Sequence, residues 1–106
     1  MDPQQKAIIE NQAVDALRNV YDPEIPVNVY DLGLIYDIII DDHGQVQIVM
    51  TLTNPNCPVA DSMPLEVKNA VLGIEGVSKV SVEMVFEPEW NKEMMSEAAM
   101  LELGLI

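Results

Sequence analysis

The spacing of apolar side chains predicts two amphipathic helices in this chain. From about Gln4 to Tyr21 apolar residues recur at steps of three and four, and the predicted buried stripe is Ile9, Ala13, Leu17 and Val20. Pro23 is expected to end this helix, because a proline disfavours helical geometry at the residue before it. A second helix should begin near Pro64, capped by Asp61 or Ser62. Its predicted buried side is Leu65, Val67, Ala70, Val71 and Ile74.

Two segments in the middle of the chain alternate apolar and polar positions as strands do. Leu34–Ile40 is predicted as a first strand that is apolar on nearly both faces, and Asp41-Asp42-His43-Gly44 then has the composition of a hairpin turn. The second strand should bury Val46, Ile48, Met50 and Leu52. Thr51 and Thr53 fall on its other face, so both are expected to point away from the core, where the strand leads to Cys57.

A third strand and a last helix complete the predicted fold. Lys79–Glu87 alternates again, with Val80, Val82, Met84 and Phe86 inward. Asn91 should cap a helix whose apolar stripe is Met94, Ala98, Leu101 and Leu105. The order helix, strand, strand, helix, strand, helix predicts an α+β fold, a two-layer structure with helices mainly on one face of a small three-stranded mixed or antiparallel sheet. The proline-rich segment 22–26 could extend that sheet, and residues 1–106 are expected to form one domain.

The charge balance excludes several classes of partner. Eighteen acidic residues against five basic ones give a net charge of −13, so nucleic acid and anionic membranes are poor partners. The chain has no apolar run of about 18 residues and no signal-like N-terminus, which favours a cytoplasmic protein. One cysteine cannot form an internal disulfide, in keeping with a reducing compartment.

Candidate chemistry centres on Cys57, between the second strand and the second helix. A thiol near a helix start ionises more easily, so its position favours a reactive or metal-binding role about as strongly as that of a small buried hydrophobe. One thiol cannot complete a four-thiolate cluster site, so a second chain or a small thiol would have to supply the other ligands. Asp22, Glu24 and Asp31 offer carboxylates nearby, although each also fits ordinary turn chemistry.

Two residues near the C-terminus are candidates for a contact surface. Trp90 is assigned to an interface because the chain has few other aromatic residues from which to build one. Met95 is assigned to an adaptable contact surface, with gap filling in the core as the alternative.

Five motifs, taken in order, resemble the SufT/PaaD-like family of small iron–sulfur assembly proteins. They are Asp22-Pro23-Glu24-Ile25-Pro26-Val27, Asp31-Leu32-Gly33-Leu34-Ile35, Met50-Thr51-Leu52-Thr53-x-Pro55-x-Cys57-Pro58, Glu75-Gly76-Val77 through Val82-Glu83, and Glu87-Pro88-x-Trp90 with the residues up to Gly104. The resemblance extends from about Ala13 to Gly104, nearly the whole chain.

The resemblance implies a fold related to the C-terminal scaffold domain of NifU-type proteins and a role in maturing iron–sulfur proteins. It implies no tightly bound cofactor, transient binding of iron or an iron–sulfur cluster by Cys57, and assembly scaffold or client proteins as partners, with a homodimer as one option. The positions that match the family's pocket are Asp22, Glu24, Ile25, Thr53, Asn54 and Cys57, with Asp31 and Thr51 as close neighbours.

The leading hypothesis is therefore a non-catalytic assembly or targeting factor in which Cys57 binds the metal, Asp22 and Glu24 tune the thiol or hold the loop, and the threonines line the approach. Two alternatives remain. One is an accessory interaction subunit of an oxygenase-type complex, as in the PaaD-like branch. The other is a thiol enzyme with Cys57 as nucleophile, which the sequence disfavours because the one histidine, His43, lies in a distant turn.

Overall fold

The computed structural model describes residues 2–22, 25–53 and 62–105. The elements are α1 (Pro3–Leu17), β1 (Ile35–Ile40), β2 (Gln45–Met50), α2 (Met63–Leu72), β3 (Lys79–Met84), a short 3-10 helix (Lys92–Met94) and α3 (Glu97–Glu102). The predicted α-β-β-α-β-α order is confirmed. No helix within these ranges is long and apolar enough to cross a bilayer.

The sheet is mixed, with strand order β1-β2-β3. β1 pairs with β2 antiparallel and β2 pairs with β3 parallel, which settles the strand direction that the sequence left open. Alternation in β2 buries Val46, Ile48 and Met50 beneath the helices and turns Gln45 and Gln47 to the other face. The α+β prediction, with helices on one face, is confirmed.

Helix α1 begins where its local sequence indicates and ends earlier than predicted. The Asp2 carboxylate accepts a hydrogen bond from the backbone N–H of Gln5 at 2.7 Å, and a proline occupies the first turn. The predicted stripe is buried, but the helix ends at Leu17, so the prediction that Pro23 ends it is wrong. The N–H of Val20 instead bonds the carbonyl of Leu17 at 3.1 Å, a tight turn that returns Val20 to the core.

The strands are shorter and less buried at their ends than alternation predicted. β1 carries apolar side chains on both faces as predicted, but only one face is covered, and Ile39 on the other face is 47% exposed. β2 ends at Met50, and both Thr51 and Leu52 are buried, so Thr51 does not point outward as predicted. β3 ends at Met84, and Phe86, predicted inward, is 46% exposed because the chain leaves the sheet there.

The predicted stripe of α2 is confirmed except at one position. Val67 and Val71 are buried and Ala70 and Ile74 pack against the core, whereas Leu65 is 57% exposed and Met63 is buried instead. At the C-terminus the chain is extended at Met95, which interrupts the helix and resets its phase. The predicted residues Ala98, Leu101 and Leu105 are therefore exposed, and Ala99 is buried instead.

Asn91 caps the 3-10 helix, as its Oδ1 accepts from the N–H of Glu93 at 2.9 Å. Helix α3 has its own cap, Ser96, whose Oγ accepts from the N–H of Ala99 at 3.1 Å. Asn91 therefore caps a helix as predicted, but a shorter one than the amphipathic stripe implied.

The hairpin turn between β1 and β2 is confirmed. One carboxylate oxygen of Asp41 accepts hydrogen bonds from the N–H groups of His43 at 2.8 Å and Gln45 at 2.9 Å. Gly44 has φ +79°, and a Cβ there would overlap the carbonyl oxygen of Gly76 in the turn before β3. We call this end of the sheet the turn end.

Candidate functional site

Thr51 and Thr53, two of the predicted site residues, follow β2 at the opposite end of the sheet, which we call the site end: the start of β1 and the ends of β2 and β3. Here the N–H of Thr51 bonds the carbonyl of Leu34 at 2.9 Å, and the N–H of Val85 bonds the carbonyl of Met50 at 2.8 Å. Thr51 and Thr53 continue β2 directly toward the sequence that contains Cys57. The described part of the chain before Cys57 therefore stops at the site end, at Thr53.

Asp22 organises the turn that follows it. The residue is only 5% exposed, and its Oδ1 accepts a hydrogen bond from the N–H of Ile25 at 3.1 Å. Its own N–H bonds the carbonyl of Val27 at 3.2 Å, next to an isolated bridge between Tyr21 and Asn28. Of the two roles considered for this carboxylate, holding the loop has direct geometric support.

The rest of the 22–26 segment gives a mixed result. Ile25 is half-buried against the core. Among the described residues the segment does not join the sheet, which has three strands, so the suggested extension is not observed. Glu24 lies outside the described residues.

Asp31 is also used within its own turn. Asn28 donates from Nδ2 to Asp31 Oδ2 at 2.8 Å and accepts from the Asp31 N–H at 2.8 Å. Arg18 Nε lies 3.9 Å from Asp31 Oδ1, and the guanidinium sits 5.1 Å from the ring centroid of Tyr30. These contacts occupy both carboxylate oxygens, so Asp31 shapes the loop before β1.

Thr51 is a buried anchor. It is 1% exposed, so it does not line an open approach, and that prediction is wrong. Tyr36 lies beside it: burial raises the pKa of the Tyr36 hydroxyl, and a hydrogen bond with the Thr51 side chain acts in the opposite direction. The same hydroxyl donates to the carbonyl of Pro88 at 2.7 Å. Thr53 is half-buried, which leaves part of its side chain accessible.

Sequence reasoning missed Tyr36. Its hydrogen-bond partner Pro88 lies 52 positions away, so no local pattern marks the contact. The only available signal was an aromatic hydroxyl on an otherwise aliphatic edge strand, since Tyr hydroxyls generally find a partner when buried.

Residues 88–96, which we call the C-terminal strap, close the site end. Trp90 donates from Nε1 to the carbonyl of Leu32 at 2.7 Å, and the Ser96 N–H bonds the carbonyl of Asp31 at 2.7 Å. Gly33 has φ +83° and no Cβ, which admits the Met94 backbone carbonyl against it. The strap therefore fixes the loop before β1 through three separate contacts.

The strap corrects one of the two predicted interface residues. Met95 is 7% exposed and belongs to the core, so it is not a surface contact. Trp90 is half-buried and its indole N–H is already bonded within the chain. An interface role for the remaining face of Trp90 stays a prediction.

Asn54 and Cys57, like Glu24, lie outside the described residues. Within 2–22, 25–53 and 62–105 no group of three or more His, Cys, Asp or Glu side chains could hold a metal ion.

Comparison with known proteins identifies the family. Residues 10–84 match the family model described as iron–sulfur cluster assembly protein. The chain belongs to the iron–sulfur cluster assembly protein family. All eight predicted site residues, from Asp22 to Cys57, lie within the matched range of this assembly protein, and the strap follows it.

Relatives of the assembly protein span almost its full length. It is 57% identical over 97 residues to the Fe-S protein maturation auxiliary factor of Porphyromonas gingivalis, covering 92% of each chain. It is 39% identical over 101 residues to the Fe-S protein maturation auxiliary factor YitW of Bacillus subtilis, covering 95% and 98%. A crystal structure of a domain of unknown function, DUF59, from Bacillus anthracis superimposes with a TM-score of 0.90 at 33% identity, covering 99% and 100%.

Proposed function

We propose that this chain is an iron–sulfur protein maturation factor in which the Cys57 thiolate transiently binds iron or an iron–sulfur cluster and passes it to a client protein. The observation that carries the proposal is the 57% identity, across 92% of both chains, to a protein named as a maturation factor. The resemblance of the motifs around Asp22, Asp31 and Cys57 to the SufT/PaaD-like pattern supports the same role.

The number of thiolate ligands that the chain supplies suits transfer of an iron–sulfur cluster better than its storage. Iron–sulfur clusters are held by several thiolates, and this chain supplies one. The remaining ligands must come from a second chain, a small thiol or the client itself. A cluster held by one protein thiolate can leave by exchanging that single bond, which is the behaviour that a carrier needs.

Protons should compete with iron for the sulfur of Cys57. Iron binds the thiolate, so it must displace the thiol proton. Binding should therefore weaken as pH falls, and client loading should slow with it. Asp22 contributes by holding the turn before Val27, and Glu24 is proposed as a second loop residue whose charge opposes ionisation of the thiol.

The sequence weighs against a thiol enzyme, because its one histidine falls in the hairpin turn before β2. A nucleophilic cysteine needs a base within hydrogen-bond reach. His43 lies in the turn end, and the six residues of β2 separate it from Thr51 by about 20 Å. The PaaD-like accessory role remains a distinct alternative, since it would make Cys57 dispensable.

The test is an anaerobic transfer assay. The protein would be loaded with ferrous iron and sulfide in the presence of glutathione, desalted, and mixed with an apo hydro-lyase that requires a [4Fe–4S] cluster. Wild type should activate the acceptor, and Cys57→Ser should not. Gln12→Ala, at an exposed position of α1, is the control and should behave as wild type. Equal activation by Cys57→Ser would remove the thiol from the mechanism and favour an accessory role.

A further inference from the structure

The outer edge of β3 is unpaired among the described residues. β3 is the last strand in the order β1-β2-β3, and among the described residues it pairs only with β2. The chain after β3 does not return to cover this edge: the strap crosses to the β1 side, where it contacts Leu32 and Tyr36. The backbone N–H and C=O groups on the outer side of β3 are therefore available for pairing.

A groove runs beside this edge. It has a volume of about 370 Å³ and is lined by Pro64, Leu65 and Lys68 of α2 and by residues 79–82 of β3. Successive side chains of a strand point to opposite faces, so four consecutive lining residues mean that the strand edge itself faces the groove. Leu65 is 57% exposed there and provides an apolar contact on the helix side.

The groove is positively charged in an otherwise acidic chain. Lys68 and Lys79, two of the five basic residues, line it, and no carboxylate does. Neither lysine has an ion pair among the described residues, whereas Lys6 pairs with Asp42 and Arg18 lies near Asp31. The three other described grooves each include at least one acidic side chain.

We propose that this groove binds an extended, acidic segment of another protein, which adds as a strand to the free edge of β3. Main-chain hydrogen bonds to β3 would provide affinity, and carboxylates near Lys68 and Lys79 would provide selectivity. A second copy is a poor occupant, because two chains of net charge −13 repel each other. The site does not involve Cys57 and is independent of the function proposed above.

The binding test uses the ¹⁵N-labelled full chain and a synthetic probe, acetyl-Glu-Ile-Asp-Val-Glu-amide, followed by NMR. The largest shift changes should fall on residues 64–68 and 79–82, and amides of β3 should gain protection from hydrogen exchange. A probe of the same sequence with an N-methyl group on every residue should lose binding, because neither of its edges can donate backbone hydrogen bonds to β3. A probe with lysine in place of each acidic residue should also fail.

Matched variants test whether Lys68 and Lys79 provide the positive charge that the acidic probe recognises. Lys68→Glu combined with Lys79→Glu should weaken probe binding about tenfold. Lys92→Glu, an exposed lysine outside the groove, should change it less than about twofold. Unchanged thermal melting curves would establish that each variant is folded.

Four outcomes would overturn the proposal: no binding of the acidic probe, shifts spread over other surfaces, binding that survives N-methylation, or equal effects of the two sets of variants. Concentration-dependent shifts at the same residues without probe would identify a second copy as the occupant and would also refute it.

Discussion

The two ends of the sheet are closed in different ways. At the turn end, Asp41 bonds residues two and four positions away, and the turn packs on the neighbouring turn through Gly44 and Ser78. At the site end, Tyr36 and Trp90 bond carbonyl groups 52 and 58 positions away in the sequence. The turn end thus has its own local hydrogen bonds and joins a neighbouring turn about 35 positions away, whereas the site end is closed by contacts 52 and 58 positions apart.

This difference bears on function. Local turns order themselves with little loss of chain entropy, whereas contacts between distant segments form only once the rest of the fold is in place. The site end therefore depends on the strap to hold the loop before β1 and the start of the Thr51–Cys57 stretch. The turn end should tolerate change without affecting the site.

The largest effect is expected at Gly33. Gly33→Ala should lower the free energy of unfolding by roughly 3 kcal/mol, because the residue has φ +83° and its new Cβ would overlap the Met94 carbonyl. Urea denaturation measures the change. Gly104→Ala is the control: it also has positive φ but nothing within 4 Å, so about 1 kcal/mol is expected. Equal losses in the two variants would show that the strap does not press on Gly33.

Tyr36→Phe should have an intermediate effect. It removes the hydrogen bond to Pro88 and the partner of the buried Thr51 hydroxyl, so a loss of about 1–2 kcal/mol is expected. Tyr21→Phe, at a position 57% exposed, should change stability by less than about 0.5 kcal/mol. If the two variants unfold at the same urea concentration, Tyr36 does not join the strap to the sheet.

Tyr36 should also make the stability of the protein depend on pH in the alkaline range. Its pKa is raised in the folded protein, so its contribution to stability is complete below the ordinary value of about 10 and is lost as pH rises through the folded value. Wild type should therefore lose more stability than Tyr36→Phe between pH 9 and pH 11. Parallel losses would contradict the partial desolvation of the hydroxyl.

The smallest effect on stability is expected for a substitution of Asp41 at the turn end. Hydrogen bonds from the backbone, that of Gln45 foremost, hold the pKa of Asp41 below its usual range. This stabilisation is present above the ordinary value and is lost as pH falls through the folded one. Asp41→Asn should therefore be less stable than wild type at pH 7, with the difference shrinking below about pH 4. A difference that is constant with pH would refute this origin, and client activation should be unaffected by the variant.

The predictions that succeeded depend on local signals. Alternation in β2, the stripe of α1, the Asp41–Gly44 turn and the element order are all set by residues close in sequence. At the site end, the burial of Thr51 could not be predicted, because its partner Tyr36 comes from a neighbouring strand.

Errors near the C-terminus have the same origin. The stripe Met94, Ala98, Leu101 and Leu105 assumed one continuous helix, but the strap is extended at Met95 where its backbone packs against the Gly33 loop. The family motifs identified the right segments of the chain, yet for Asp31 and Met95 they could not distinguish a surface role from a structural one.

We propose Cys57 as the protein ligand for iron or a cluster. Native mass spectrometry of the anaerobically loaded chain tests this role most directly. The spectrum counts iron, sulfide, glutathione and protein chains in each species. Wild type is predicted to carry an iron-containing adduct that is absent from Cys57→Ser and decreases as pH is lowered. The same adduct at the same abundance on Cys57→Ser would contradict the claim.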